Sequence, residues 1–438
     1  MRDWLKRDPI VIIDGKGAIL RDANGKEYLD GNSSIWTNLH GHRHPKINAS
    51  IKKQLGKIAH SSALGLANEP ASVLAEKLIQ AAGGKFAKVF YSDDGSTATE
   101  AALKMAYQFA CRKRPGRKPK FLSLGGAYHG DTVGAVSLGH IDLFHGAYRG
   151  LLFQSDQVPS PYCYRCPFNR ARPERADARE YRRCNWECVS QVEHTLAAQK
   201  KKGGYAGFVV EPLMQGAAGM IAQPEGWLKR VTTLARKHGA LIIFDEVMTG
   251  FGRTGALFAC QKESVQPDMM AVAKGMTGGY LPMAATLTTK PIFDAFLGRY
   301  EDFKTFFHGH SFTGNQLGAA SSLASLEILR SQQSQSTRRL LEKSLRTELT
   351  SLWKLPAVGD IRQVGLMVGI ELVKNWKTRE PYPLRARAGI RVCEAMARRG
   401  VLTRPVGNVI VLIPPYCTTP AQIRQIITVM NDAVEEVC

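Results

Sequence analysis

Short apolar segments alternate with amphipathic segments through the middle of the chain. The segments predicted as strands are FAKVFYS at 86–92, KFLSL at 120–124, GFVVEP at 207–212, ALIIFDE at 240–246 and DMMAVA at 268–273. Stretches with helical periodicity lie between them, at 96–111 and 227–239. Strands that are apolar along their whole length are typical of parallel sheets with helices on both faces. The pattern therefore predicts an α/β fold with a mostly parallel sheet.

The C-terminal third has a different pattern, which predicts a smaller α+β domain. A long helical stretch is predicted near 316–350 and a second helix near 385–399. Strand-like segments are DIRQVGLMVGIELV at 360–373 and VIVLIPPY at 409–416. The segment 160–185 is rich in Arg, Pro and Cys, and it is predicted to be an insertion loop.

Composition and charge change this picture little. The chain has 438 residues, 44% of them hydrophobic, which is enough for two domains with a large core. Its net charge of +21 raises the possibility of nucleic-acid binding. The basic residues are spread along the chain, however, and the densest run, RKRPGRKPK at 112–120, is interrupted by Pro and Gly. A solvated basic surface is therefore favoured, attraction of anionic substrates to a positive field is the second interpretation, and a nucleic-acid partner is disfavoured.

No apolar run reaches the roughly 20 residues that span a bilayer, so no membrane association is expected. The segment MRDWLKRDPIVIIDG lacks the layout of a signal peptide, and the expected location is cytoplasmic. Nine cysteines in a chain of this length are too few and too scattered for a disulfide scaffold.

The first candidate site is DDGSTATEAALKMA at 93–106. A strand ends at Ser92, Gly95 permits a tight turn, and Ser96 can cap the helix that follows. Free backbone N–H groups and the positive end of the helix dipole bind phosphate well. A plain helix cap is the alternative that this segment alone leaves open.

The second candidate site is FDEVMTGFGRTG at 244–255. Asp245 ends an apolar strand, where a parallel sheet presents side chains to a ligand, and its carboxylate can hold a protonated heteroaromatic nitrogen. Residues 250–255 also match G-x-G-x-x-G. These glycines do not open a helix directly after the strand and no βαβ unit begins there, which disfavours dinucleotide binding.

The third candidate site is AVAKGMTGGYLP at 271–282, where Lys274 follows a buried strand. Burying an ammonium is costly, and desolvation lowers its pKa, which makes the free amine available for imine chemistry. The alternative interpretation is that the side chain of Lys274 extends to solvent and has no catalytic role. Together the three sites supply an anion cradle, an acid for a ring nitrogen and an amine for an aldehyde, and pyridoxal phosphate requires all three.

The three segments and five others make the chain resemble the class III aminotransferases of fold type I over almost its whole length. The eight segments are DGNSSIWTNLHGHRHP at 30–45, YSDDGSTATEAALKMA at 91–106, GAYHGDTVGAVS at 126–137, VVEPLMQGAAGM at 209–220, DEVMTGFGRTG at 245–255, KGMTGGYLP at 274–282, HGHSFTGNQLGAA at 308–320 and RPVGNVIVLIPPY at 404–416. The resemblance implies a large cofactor-binding domain over 51–315 and a small domain formed by 1–50 and 316–438. It also implies a homodimer with active sites at the interface.

The resemblance implies a role for each matching residue. Lys274 would form the Schiff base with pyridoxal phosphate and act as the catalytic base, with Asp245 and Tyr128 as its catalytic neighbours. The implied cofactor contacts are Gly95, Ser96, Tyr128, His129, Asp245, Val247 and Lys274, with Ser311 reaching the phosphate of the other subunit. The implied substrate contacts are Trp36, Tyr128, Asp131, Gly309 and Arg404, of which Arg404 would pair with a carboxylate.

The first and last segments resemble most closely the subgroup that aminates 8-amino-7-oxononanoate to 7,8-diaminononanoate in biotin biosynthesis. The amino donor is S-adenosylmethionine or lysine, because GGYLP and HGHSFTGNQ are similar to the subset that includes lysine-using members. Ile35 stands where some members have a second Trp, so the wall of the substrate site is altered. The alternative function is that of an ω-amino acid:pyruvate transaminase of the same family.

Four cysteines cluster in the predicted insertion, as Cys163-x-x-Cys166 and Cys184-x-x-x-Cys188. Their spacing is close to that of structural zinc sites, and the insertion has little core of its own. The predicted chemistry requires no metal, so free thiols are the expectation and a metal site is the alternative.

Overall fold

The computed structural model describes residue 5 and residues 7–438. The strands are β1 (Ile12–Lys16), β2 (Ile19–Asp22), β3 (Glu27–Asp30), β4 (Phe86–Ser92), β5 (Lys120–Leu124), β6 (Asp156–Val158), β7 (Tyr205–Val210), β8 (Met214–Gln215), β9 (Ile221–Ala222), β10 (Leu241–Asp245), β11 (Met269–Val272), β12 (Ala284–Thr289), β13 (Val358–Val364), β14 (Met367–Asn375), β15 (Glu380–Pro381), β16 (Val401–Leu402), β17 (Arg404–Val406) and β18 (Val409–Leu412).

The helices are α1 (Ser33–Trp36), α2 (Pro45–Leu55), α3 (Glu69–Ala82), α4 (Gly95–Lys113), α5 (Val133–Ser137), α6 (Asp142–His145), α7 (Ala178–Tyr181), α8 (Glu187–Lys200), α9 (Trp227–Lys237), α10 (Lys290–Asp294), α11 (Gln316–Arg330), α12 (Gln332–Leu349), α13 (Ala388–Arg398) and α14 (Pro420–Val437). Short 3₁₀ segments add single turns, one of them at 274–277. Among the described residues, every helix is too short or too polar to cross a membrane.

A seven-stranded sheet in the order β4-β12-β11-β10-β7-β5-β6 forms the centre of the molecule. The pairs β11/β10, β10/β7, β7/β5 and β5/β6 are parallel, which confirms the predicted mostly parallel α/β sheet. The exception is β12, which is antiparallel to both β11 and β4. Sequence analysis missed this strand because its residues, AATLTT, are small or hydroxylated and carry little hydrophobic signal, although all six are buried.

The helices around the sheet present apolar stripes to it. In α9 the buried residues Trp227, Leu228, Val231 and Ala235 recur at helical spacing. In α4 half of the buried positions are alanine, which allows the helix backbone to approach the strands closely. Because β4 and the parallel strands run in one direction, their carboxyl ends meet at one edge of the sheet. This edge carries the candidate site.

The first strands of the chain pair with its C-terminal part. In the sheet β1-β2-β3-β16, Leu29 lies opposite Val401 and Asp30 opposite Leu402. A separate antiparallel sheet has the order β13-β14-β18-β17, with β15 beside β14. This pairing agrees with a small domain built from both termini. The bounds 1–50, 51–315 and 316–438 themselves stay predictions, and the first, at Met1, lies outside the described residues.

The long helical stretch predicted near 316–350 is in fact two helices, so that prediction is corrected. Ser331 ends α11 and begins α12 in an extended conformation, and its hydroxyl accepts a hydrogen bond from the Ser334 N–H at 3.2 Å. Serine at this position offers the backbone an alternative to continued helix. The periodicity on both sides is helical, which explains why the break was not predicted.

The segment 160–185 is largely irregular, as expected of a loop, and the short helix α7 is its only regular element, while its being an insertion stays a prediction. It packs on the antiparallel sheet through charged side chains. Arg165 donates to Glu371 at 2.8 Å, and the guanidinium of Arg175 donates to the carbonyl oxygens of Leu355 and Val358 at 2.6 and 2.5 Å. Beneath them, buried Arg362 bridges the carboxylates of Asp360 and Glu371. The insertion is therefore tied to the sheet of the C-terminal part.

Candidate active site

Lys274 begins the 3₁₀ turn directly after β11, and its amine lies 4.7 Å from the centre of the Trp36 ring. Burial lowers the pKa of Lys274, while the carboxylates of Asp245 and Glu211 oppose that shift. A lowered pKa increases the fraction of neutral amine near neutral pH. The backbone of Lys274 has φ of 43°, an uncommon conformation for a residue with a side chain. Such positions cluster at functional sites, where the surroundings hold them.

Asp245 is the last residue of β10 and is 6% exposed. One carboxylate oxygen accepts from His129 Nδ1 at 2.8 Å, and the other accepts from the Val247 N–H at 3.0 Å. Burial would lower the pKa of His129, but the hydrogen bond and charge of Asp245 raise it. In the described part of the chain His129 Nε2 is buried and has no hydrogen-bond partner. The two hydrogen bonds from His129 and Val247 therefore orient the Asp245 carboxylate before a ligand with a ring nitrogen binds.

The N-terminus of α4 is open to an anion. Asp94 caps the helix by accepting from the Thr97 N–H at 2.9 Å, and none of the described residues accepts from the N–H groups of Gly95 and Ser96. A Cβ at Gly95 would lie 2.7 Å from Val247 Cγ1. At Gly130, where φ is 125°, it would lie 2.1 Å from the Ser96 hydroxyl oxygen. Glycine at both positions is what lets the backbone approach this point closely.

Tyr128 stands beside this cradle and is held from two sides. Its N–H donates to Glu211 at 3.3 Å and its hydroxyl donates to Asp131 at 2.8 Å. Burial, with Asp131, raises the pKa of the Tyr128 hydroxyl above its usual value, so it stays protonated at neutral pH. Val247 packs with four buried alanines, Ala98, Ala271, Ala273 and Ala284.

Sequence analysis gave no role to Glu211, which follows β7 directly. The carboxylate is buried and accepts from the N–H groups of Tyr128 and Gly216, the latter at 2.8 Å. Burial raises the pKa of Glu211 to about 7. The rule that selected Asp245, a carboxylate at the carboxyl end of a buried strand, would have selected Glu211 as well.

Trp36 faces Lys274 from the N-terminal part of the chain. It is 7% exposed, and its indole N–H donates to the Asn32 side chain at 2.9 Å. Ser33, Ser34 and Trp36 all have positive φ, so this turn is held in an uncommon shape. Ile35 beside it is 53% exposed. An indole thus forms one wall of the space around the lysine amine.

Arg253 was also missed, and it holds this wall in place. The residue is 1% exposed, and its guanidinium donates to the Pro414 carbonyl at 2.8 Å and to the Trp36 carbonyl at 3.5 Å. It also lies 5.0 Å from the centre of the Tyr416 ring. Nothing local in the motif GRTG indicates which distant segments its arginine joins.

Arg404 begins β17, opposite Val411, and is exposed. Its positive charge contributes to the lowering of the pKa of Lys274, after burial. It also opposes the rise in the pKa of Tyr128 that burial and Asp131 cause. The charge of Arg404 therefore acts on both residues.

Ser311 and Gly309 lie on an exposed loop. The Ser311 carbonyl contacts His60 Nε2 at 2.9 Å, and none of its contacts in the described part of the chain involves Lys274, Asp245 or Ser96. A Cβ at Gly309 would meet open space. The structure thus gathers the predicted residues Lys274, Asp245, His129, Tyr128, Val247, Gly95, Ser96, Asp131, Trp36 and Arg404 around one edge of the sheet, and leaves Ser311 and Gly309 outside this group.

The gathered residues fit pyridoxal phosphate. The glycines at 95 and 130 and the free N–H groups suit a phosphate, the oriented Asp245 carboxylate suits the ring nitrogen, and the Lys274 amine suits the aldehyde. The unsatisfied His129 Nε2 is consistent with a further polar group in this region.

Comparisons with known proteins identify the family of the chain. The sequence matches the family Aminotransferase class-III over residues 4–434. It is 47% identical to the adenosylmethionine-8-amino-7-oxononanoate aminotransferase of Geobacter sulfurreducens, over 100% of this chain and 94% of that protein. The crystal structure of the protein of that name from Methanocaldococcus jannaschii superposes with a TM-score of 0.91 at 39% identity, covering 100% and 95% of the two chains. A PLP-bound amine transaminase from an uncultivated Pseudomonas species has a TM-score of 0.90 at 31% identity, covering 99% and 96%.

Proposed function

The chain belongs to the class III aminotransferases, which depend on pyridoxal phosphate, and from this membership we propose that it converts 8-amino-7-oxononanoate to 7,8-diaminononanoate in biotin biosynthesis. The observation that supports the chemistry best is that Lys274 and Asp245 stand at the carboxyl ends of neighbouring strands. Asp245 lies opposite Ala271 on the neighbouring parallel strand, and Lys274 follows that strand two residues past its end. The substrate proposal rests on full-length relatives that carry this activity in their names.

We propose that the residues of the sheet edge bind the cofactor. The N–H groups of Gly95 and Ser96 and the Ser96 hydroxyl bind the phosphate. The Asp245 carboxylate accepts from the protonated ring nitrogen, and His129 orients that carboxylate through its 2.8 Å hydrogen bond. Tyr128 and Val247 pack against the ring. Pyridoxal phosphate, when bound, draws electrons away from the substrate carbon that loses its proton.

Lys274 supplies both covalent attachment and proton transfer in this proposal. Its amine binds the cofactor aldehyde, and the same amine, once free, removes and returns the substrate proton. Burial supports this role because it lowers the pKa of Lys274 and thereby favours the neutral amine. Glu211 positions Tyr128 by accepting from its backbone N–H.

The substrate has a carboxylate at one end of an apolar chain and an amino ketone at the other, and we propose that the site contacts both ends. The exposed guanidinium of Arg404 pairs with the carboxylate. Trp36 and Tyr128 line the site, and the Asp131 carboxylate pairs with the substrate ammonium. The contact predicted for Gly309, which lies outside this group, stays a prediction. Asp131 is exposed and already accepts from the Tyr128 hydroxyl, which fixes its direction.

We also propose a homodimer in which the partner contributes to each site. Ser311 lies on an exposed loop, as a residue that binds the phosphate in another subunit must. The proposed cytoplasmic location follows from the biosynthetic activity alone.

The substrate proposal is tested by offering 8-amino-7-oxononanoate with S-adenosylmethionine or with lysine. We expect 7,8-diaminononanoate, detected by mass spectrometry, with one of the two donors. The names of the relatives favour adenosylmethionine, so it is the first donor to test. Pyruvate with an ω-amino acid is the comparison pair. Turnover of that pair, with no diamine from either donor, would replace the proposal by the ω-amino acid:pyruvate activity.

Arg404→Ala should raise the KM for 8-amino-7-oxononanoate while cofactor binding stays unchanged. Arg404 is exposed, so solvent screening limits the loss to about 1–2 kcal/mol, or roughly 5- to 30-fold in KM. Arg424→Ala, which removes a surface arginine paired with Glu348, is the matched control and should leave KM unchanged. An acceptor whose carboxylate is converted to an amide should bind wild type and Arg404→Ala equally. If Arg404→Ala kept the wild-type KM, Arg404 would not be a substrate contact.

A further inference from the structure

Four cysteines, three in the segment 160–185 and one directly after it in α8, surround one small cavity. Its volume is about 20 Å³, space for a single small ion or water, and its lining includes Cys163, Cys166, Cys184, Cys188, Arg182 and Trp186. None of these residues belongs to the cofactor or substrate site. The two cysteine pairs come from opposite ends of the insertion, and the fold brings them together.

Backbone contacts hold the two ends of the insertion side by side. The Asn169 side chain donates to the Cys163 carbonyl at 2.9 Å and accepts from the Arg183 N–H at 3.0 Å. The Arg170 N–H also donates to the Arg183 carbonyl at 3.0 Å. Cys166 is fixed by a turn in which its carbonyl accepts from the Asn169 N–H at 3.1 Å. These hydrogen bonds fix the positions of the two cysteine pairs relative to each other.

The four thiols differ in their exposure. Cys163 and Cys188 are buried, whereas Cys166 and Cys184 are partly exposed, and all four line the same cavity. A divalent cation at the centre of the cavity would stabilise all four as thiolates.

Donors around the cavity are placed to stabilise thiolates. Arg182 Nη1 donates to the Cys184 sulfur at 3.6 Å. The indole N–H of Trp227 is fully buried and has no hydrogen-bond partner in the described residues. Cys188 lies in the first turn of α8, where the helix dipole favours negative charge. Such outer partners are typical of thiolate–metal sites.

We propose that Cys163, Cys166, Cys184 and Cys188 bind one zinc ion. The spacings of two and three residues lie within the range of structural zinc sites, which are tetrahedral. The four thiols release four protons to solvent and bind Zn²⁺ as thiolates, leaving a net charge of −2 that Arg182, in the cavity lining, partly offsets. No group of three or more His, Cys, Asp or Glu side chains in the described part of the chain is already arranged around a metal position. The thiols must therefore turn into the cavity when the ion binds.

The site would stabilise the insertion and its contacts with the antiparallel sheet. Arg165 and Arg175 dock the segment 160–185 onto that sheet, and zinc would join the two ends of this segment. Zinc binding to the folded chain raises its stability by mass action, so the melting temperature should rise with free zinc. The apparent affinity should fall at lower pH, because protons compete for the sulfurs.

The first test is elemental analysis of the holoenzyme, purified under reducing conditions without chelator from zinc-supplemented cells. We expect about one zinc per chain, as the proposal requires. Cys166→Ser should remove it, whereas Cys260→Ser, which alters a buried cysteine outside the cluster, should retain it. Modifying the wild-type thiols in the presence of a chromogenic chelator should release the same single equivalent, and this measurement holds even if Cys166→Ser does not fold.

The proposal is wrong if wild-type protein contains no zinc and the reduced protein takes none up on titration. It is equally wrong if Cys166→Ser folds and keeps its zinc, or if only Cys260→Ser loses it. Intact-mass analysis separates the remaining alternative, since each disulfide formed within the cluster would remove two hydrogen atoms and leave no zinc to release. None of these readouts depends on transamination, so the result is independent of the proposed substrate.

Discussion

Lys274→Ala should reduce transamination by at least about 10⁴-fold, because one substitution removes both the amine that binds the cofactor and the proposed general base. The amine stands at the end of β11 and lies over the Trp36 ring. The residues proposed to hold the phosphate and the ring nitrogen lie on other elements, α4 and β10. The variant should therefore still bind pyridoxal phosphate, but without a covalent bond.

Borohydride reduction followed by intact-mass measurement distinguishes covalent from non-covalent binding. Wild type should gain the mass of one reduced cofactor at Lys274, and Lys274→Ala should gain none while it retains the cofactor through brief gel filtration. Lys290→Ala is the matched control, because that lysine pairs with Asp294 on the surface of α10. It should behave as wild type. Normal turnover by Lys274→Ala, or cofactor mass on another lysine, would overturn the assignment.

The position of this lysine could be predicted from sequence because two simple rules converge on it. Wholly apolar strands indicate a parallel sheet, and polar residues directly after such strands meet at one edge. Both Asp245 and Lys274 satisfy these rules, and they lie on neighbouring strands in the structure. Glu211 satisfies them too, and it was missed because only residues with an obvious cofactor partner were considered.

Other features depend on contacts between distant segments and leave no local signal. Strand β12 is buried because of its neighbours β11 and β4, while its own residues are alanines, threonines and one leucine. Arg253 is connected to the site by the hydrogen bonds that its guanidinium donates to the carbonyl oxygens of Pro414 and Trp36. Ser311, in contrast, was predicted from sequence but does not reach the site within one chain. Its exposure is compatible with the predicted contact across a dimer, and that contact stays a prediction.

Asp245→Asn should lower the rate of substrate proton removal by roughly 10²–10³-fold, which is the loss typical of removing one preorganised electrostatic group. The substitution keeps the shape of the side chain, and the remaining carbonyl oxygen can still accept from His129. It removes the negative charge that keeps the ring nitrogen protonated, so the cofactor draws electrons less strongly. Cofactor attachment at Lys274 should persist, which separates this variant from Lys274→Ala in the borohydride measurement.

Two further measurements test the effect of the negative charge of Asp245. The charge and hydrogen bond of Asp245 raise the pKa of His129, so that pKa, followed by NMR, should fall in Asp245→Asn. A donor deuterated at the carbon that loses its proton should show a larger isotope effect in the variant, because proton removal becomes more fully rate-limiting. Glu246→Gln is the matched control, since the adjacent carboxylate is equally buried but accepts from the Ala259 and Cys260 N–H groups. It should change stability and leave the isotope effect as in wild type. An unchanged isotope effect and an unchanged kcat/KM in Asp245→Asn would remove Asp245 from the electron-withdrawing role, even though it stands at the end of the strand beside Lys274.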